Sequence, residues 1–142
     1  MVAALFEAAG AVRQQGDLVA SSAGQSLARW EVLYILGDTP ASAARVARRL
    51  GRTRQSVQRV IDLLQPEGLI AAARNPDNRR SPLFHLSHRG RSTLVAINAA
   101  AAEWHRMVMA DFDVDQLHRL TAQLQRISEL AHSWTPQPER DE

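Results

Sequence analysis

Positions 52 to 59 read Arg-Thr-Arg-Gln-Ser-Val-Gln-Arg, a run in which every residue but Val57 carries a hydrogen-bonding side chain. An arginine fork matches O6 and N7 of guanine, and a carboxamide matches N6 and N7 of adenine, each through two hydrogen bonds. Arginine, threonine and serine also hold phosphate oxygens, which fixes register without reading sequence. The chemistry open to this run is therefore recognition of a nucleic acid.

A reading surface needs a rigid mount, and the flanking residues supply one. Thr53 is a good N-cap, able to accept a bond from the amide of Gln55 or Ser56. Val57, Val60, Ile61 and Leu64 then recur at helical spacing as a buried face. This leaves Arg54, Gln55, Ser56, Gln58 and Arg59 on the opposite side. Just upstream, Ala43, Val46, Ala47 and Leu50 mark one face of a shorter helix, and Gly51 suits the left-handed turn past its end. Two short helices joined by a glycine turn predict a helix-turn-helix, whose second helix offers its N-terminal residues to the major groove. Arg54, Gln55, Gln58 and Arg59 are the candidate base readers. Arg52, Thr53 and Ser56 are candidates for phosphates at the helix start. After Pro66, Glu67 and Gly68, two short strands are expected, Leu69 to Arg74 and Leu83 to Leu86. Asn75-Pro76 and Asp77-Asn78 form the turn between them, and Pro82 fits an edge strand. This hairpin carries Arg79 and Arg80 at its tip, placed for phosphates or the minor groove.

Charge is segregated in the same way. From Arg45 to Arg91 there are 11 arginines against three acids, a local charge of +8, whereas the rest of the chain sums to −6. A basic centre between acidic arms indicates a polyanion at the middle and another task at the ends. The 142 residues suffice for one domain with a sizeable core. There is no cysteine, which excludes disulfides, thiolate metal sites and a cysteine nucleophile. No run of about 18 apolar residues spans a membrane, and Met1 to Val12 lacks the basic start of a signal peptide. A cytoplasmic location is expected.

The flanks look like helices that pack. Val2, Leu5, Phe6, Ala9, Val12, Gly16 and Val19 form one stripe, followed by a flexible joint at Ser21 to Gly24. Ser26 caps a helix with Leu27, Trp30, Val32, Leu33 and Leu36, the expected floor beneath the helix-turn-helix. Ser87 is placed to cap a long helix with Leu94, Ile97, Ala101, Trp104 and Val108 along one face. Asp113 and Gln116 make a capping-box start for a last helix. There Leu117, Leu120, Leu124, Ile127, Ala131 and Trp134 form a seam that wants a partner helix. Terminal stripes of this length point to a homodimer sharing a helical bundle. The expected division is 1–25 and 93–134 for dimerisation, 26–92 for DNA binding, and 135–142 as a disordered tail. The fold class is mainly α with a small β-hairpin wing.

Catalysis and metal binding find no support. His85, His88, His105, His118 and His132 are not at ligand spacing, and no nucleophile elbow or phosphate-binding glycine loop is present. Asp111, Asp113 and Asp115 sit at a helix start, where acids favour the positive end of the dipole. Neither catalytic residue nor metal nor cofactor is expected.

The order of elements, RTRQSVQRVIDLLQPEGLI, then NPDNRRSP, then HLSHRG, resembles the MarR family of bacterial transcriptional regulators. Leu64 to Leu69, the wing arginines Arg79 and Arg80, and Leu86 to Gly90 match the family pattern in order. Asn78 departs from it: the family has an aspartate there that braces the wing arginine, and this chain has Asp77 only next door. The resemblance implies a homodimeric winged helix-turn-helix regulator of double-stranded DNA, a repressor on a pseudo-palindromic operator. It also implies a small aromatic or anionic effector, for which Trp30, Tyr34 and Trp104 are candidate lining residues and Arg13 the candidate anion partner. A dimeric ligand-binding or protein-interaction module without specific DNA binding is the alternative.

Overall fold

The computed structural model describes residues 1–133, as two compact units that meet after Glu103 in the chain. Trp134 and the tail 135–142 lie outside the described residues, as does the side chain of His132.

The first unit holds α1 (Val2–Ser22), α2 (Leu27–Asp38), α3 (Ala43–Leu50), α4 (Arg54–Leu64), strands β1 (Ile70–Ala73) and β2 (Leu83–Leu86), and most of α5 (His88–Met109). Helix α1 runs three residues beyond the expected stop. Ser21 and Ser22 close its last turn, and the chain turns on Gly24 at φ 69°, with the Gln25 amide bonded to Ala20 O. The expected flexible joint is therefore an ordered helix end, because glycine supplies the left-handed residue the closure needs. Gly16 lets α1 lie against Leu27, and Asp17 accepts the Leu27 amide at 3.0 Å, a carboxylate at the N-terminus of α2. Ser26 caps the same helix through the Arg29 amide.

Helix α2 is the floor. Val32, Leu33, Ile35 and Leu36 are buried with Val46 and Ala47 of α3, Val57, Ile61 and Leu64 of α4, and Phe84 and Leu86 of β2. Strands β1 and β2 pair antiparallel, Ile70 opposite Leu86 and Ala73 opposite Leu83. Ala41 adds a bridge to the outer edge of β2, exchanging two hydrogen bonds with Phe84 at 3.0 and 2.9 Å. This third strip is invisible to periodicity, since a single residue has none. Strand β1 is shorter than expected: Leu69 turns its carbonyl to Ser87, and Arg74 already belongs to the exposed loop.

The second unit contains the end of α5 and α6 (Val114–Ser133). Its start is a reciprocal capping box: the Gln116 amide donates to Asp113 Oδ1 at 2.7 Å and the Asp113 amide to Gln116 Oε1 at 2.8 Å. Leu120, Leu124, Ile127 and Leu130 of α6 are all exposed, from 39% to 51%. No helix among the described residues is long and apolar enough to cross a membrane.

Candidate nucleic-acid interface

The turn that presents α4 is built as its residues require. Gly51 takes the left-handed conformation at φ 61°, and the amides of Gly51 and Arg52 return to Arg48 O and Ala47 O. Thr53 then caps α4, accepting the Ser56 amide at 3.1 Å, while the Ser56 hydroxyl donates to Thr53 O. The Thr53 hydroxyl proton stays available for a phosphate oxygen. Val57, Ile61 and Leu64 are buried and Val60 half-buried, so the helix faces the core as its spacing requires. Arg54, Gln55 and Arg59 are exposed on the outer side. Gln58 is half-buried, and its Nε2 donates to Asp62 Oδ1 at 2.8 Å one turn on. Its oxygen and second N–H stay free to read a base.

The arginines sort into two kinds, a division not visible in the sequence. Arg49 pairs with Asp38 at 2.8 Å, Arg52 with Glu31 at 2.6 Å, and Arg89 donates to the carbonyl of Glu67. Outside the basic segment, Arg29 pairs with Glu67. By contrast, Arg45, Arg48, Arg54, Arg59, Arg74, Arg79, Arg80 and Arg91 are exposed and meet no carboxylate among the described residues. Uncompensated guanidinium groups on α3, α4 and the hairpin repel one another unless an anion lies between them. Arg52 belongs to the first kind: the structure turns it onto α2, whereas its place beside the cap had marked it for a phosphate.

The hairpin loop is braced by asparagines. Asn75 Oδ1 accepts the Asp77 amide at 3.1 Å and Asn75 Nδ2 donates to Ser81 O at 2.8 Å. Asn78 Oδ1 accepts the Arg80 amide at 3.0 Å. Asp77 forms no ion pair with an arginine among the described residues. The position that departs from the family aspartate thus holds Arg80 through the backbone, and both tip side chains stay free. Arg74, Asn75, Arg79 and Pro82 line an open cleft of about 500 Å³ in the loop of the hairpin. Arg74, a strand end by its sequence pattern, is an exposed loop arginine in the fold.

The residues considered for a ligand are dispersed in role. Arg13 is exposed on α1. Trp30 is half-buried on α2 with Nε1 donating to Asn98 Oδ1 at 3.2 Å, and Tyr34, one turn later, is 54% exposed. Trp104 lies in the second unit, its ring 5.1 Å from that of His105.

A model of the MarR family matches residues 23–81, the stretch from the end of α1 to the hairpin tip. An uncharacterised protein of Mycobacterium tuberculosis is 45% identical over 101 residues, 71% of each chain. Among solved structures, the transcriptional repressor CouR bound to a 23-mer DNA duplex is 26% identical, with a TM-score of 0.76 over 88% of this chain and 89% of CouR. A MarR family transcription regulator superposes with a TM-score of 0.78 at 24% identity, over 94% of this chain and 91% of that one. With its helix-turn-helix, hairpin wing and uncompensated arginines on the matched stretch, the chain belongs to the MarR family of winged helix-turn-helix transcriptional regulators.

Proposed function

We propose that this protein is a homodimeric repressor that binds a pseudo-palindromic operator in double-stranded DNA in the cytoplasm. The observation that carries the reading is the set of exposed arginines without carboxylate partners on α3, α4 and the wing. CouR, similar over most of its length, is a repressor bound to DNA, which supports the same role here. Arg54, Gln55, Gln58 and Arg59 read base edges, Thr53 and Ser56 hold phosphates at the start of α4, and Arg79 and Arg80 contact the duplex from the wing. The dimer is supported by the exposed leucines of α6, since aliphatic side chains repeated on one helix are stabilised by leaving water. A small aromatic or anionic effector completes the reading, with Trp30 and Tyr34 as aromatic surfaces and Arg13 as counter-ion. Quenching of tryptophan fluorescence by a panel of aromatic acids tests that part.

Selection from random-sequence duplexes tests the whole. The expected product is an inverted repeat with half-site centres about one helical turn, roughly 34 Å, apart. A pool without enrichment after several rounds would instead support an interaction module that does not read DNA.

A further inference from the structure

We infer that Arg29 and Glu31 of α2 are positioning residues that set the angle at which α4 is presented to DNA. In the same inference Arg52 acts through Glu31 and does not hold a phosphate. This rests on the DNA-binding reading above.

Successive residues of a helix are rotated by about 100°, so Arg29 and Glu31 leave opposite flanks of α2, about 200° apart. They reach opposite ends of the recognition helix. Glu31 accepts from Arg52 Nη2 at 2.6 Å, one residue before the Thr53 cap. Arg29 Nη2 donates to Glu67, in the turn that follows α4. Between them, Trp30 donates to Asn98 of α5 at 3.2 Å. Three consecutive residues therefore tie α2 to α5 and to both ends of α4.

Val32, Leu33 and Leu36 of α2 and Val57, Ile61 and Leu64 of α4 belong to the same buried aliphatic cluster. Interdigitating side chains restrict such helix packing to a few crossing angles with a scatter of about 15–20°. Charged hydrogen bonds are directional, so ion pairs at both ends of α4 select an angle within that scatter. Burial supports their separate role. The side chains of Arg52 and Glu31 are 30% and 22% exposed, and that of Arg29 is 18% exposed. The Nε atoms of both arginines are buried without an acceptor among the described residues. For Arg52 to reach a phosphate, it would have to withdraw that stem and leave a half-buried carboxylate unpaired, which is unfavourable.

The test uses the full-length protein and the duplex obtained by selection, beside a scrambled duplex, across a salt series with fluorescence anisotropy as readout. Glu31→Gln and Arg52→Gln are each expected to weaken the selected duplex about fivefold, with scrambled binding and the salt slope unchanged. The double variant should be no worse than either single one, because both remove the same contact. Arg52→Lys, which keeps the charge, should restore most of the discrimination. Glu67→Gln should reproduce the loss from the other end of α4, and serves if substitution at the more buried pair prevents folding. The inference is overturned if Glu31→Gln strengthens both DNAs while Arg52→Gln lowers the salt slope by about 0.9, the signature of one lost phosphate contact. It is also overturned if discrimination is unchanged in the folded variants. Wild-type protein that prefers no duplex would defeat the DNA-binding reading itself, and this inference with it.

Discussion

Gly90 provides a sharp test of how the wing is joined to the helix that follows it. It is buried in the first turn of α5, where its amide donates to the Ser87 hydroxyl at 2.9 Å. A Cβ built at this position would lie 1.9 Å from Leu69 O and 3.0 Å from Leu69 C, both backbone atoms. No rotamer can relieve that overlap. The same carbonyl accepts the Ser87 amide and the Ser87 hydroxyl, both at 3.1 Å. For Gly90→Ala, separating the segments by the additional ångström or more that carbon requires would break these two bonds and weaken the cap. At about 1 kcal/mol for each of three hydrogen bonds, with roughly 1–3 kcal/mol for overpacking, the expected loss is about 4–6 kcal/mol. That is a large part of the roughly 5–15 kcal/mol that holds a domain of ordinary stability folded. Urea unfolding followed by circular dichroism measures it. Gly10→Ala is the control, since that glycine is in mid-helix with nothing within 4 Å, and alanine there should stabilise by about 0.5–1 kcal/mol. A Gly90→Ala protein within about 1 kcal/mol of wild type would refute the close approach and the fixed junction derived from it.

Arg80→Ala is expected to weaken selected and scrambled duplexes together and to lower the salt slope by about 0.9, as measured by anisotropy; lost discrimination with an unchanged slope would assign Arg80 to bases. Thr53→Ala removes the acceptor for the Ser56 amide and should cost about 1 kcal/mol in urea unfolding, a typical loss for an N-cap. Leu124 is 44% exposed on α6, and Leu124→Glu should shift sedimentation from dimer to monomer and reduce operator affinity; an unchanged dimer would place the interface elsewhere.

What the sequence disclosed was local. Thr53, Ser26 and the Asp113–Gln116 pair cap their helices because an oxygen three residues before an orphan amide is within reach whatever the rest of the chain does. Gly51 and the spacing of Val57, Ile61 and Leu64 disclosed the helix-turn-helix by the same kind of short-range rule. The ion pairs of α2 were hidden because their partners are 21 and 38 residues apart, and a count of arginines treats Arg52 and Arg54 alike. Only the fold separates the arginine turned onto Glu31 from the one left exposed. Asn78 was visible as a departure, but its bond to the Arg80 amide depends on the loop's conformation. Of the expected seam, Leu120, Leu124 and Ile127 are exposed and Leu117 is half-buried, while Leu130, outside it, is exposed as well and Trp134 lies outside the described residues.

The central claim, sequence-specific binding through an arginine-rich face, is met most directly by fluorescence anisotropy of the wild-type protein on DNA from immediately upstream of its own gene. Scrambled DNA is titrated in parallel, and both are repeated at several salt concentrations. The expected result is a preference of roughly a thousandfold or more, with affinity falling steeply as salt rises. Equal and weak binding to both DNAs, together with failure to enrich any duplex by selection, would contradict the account.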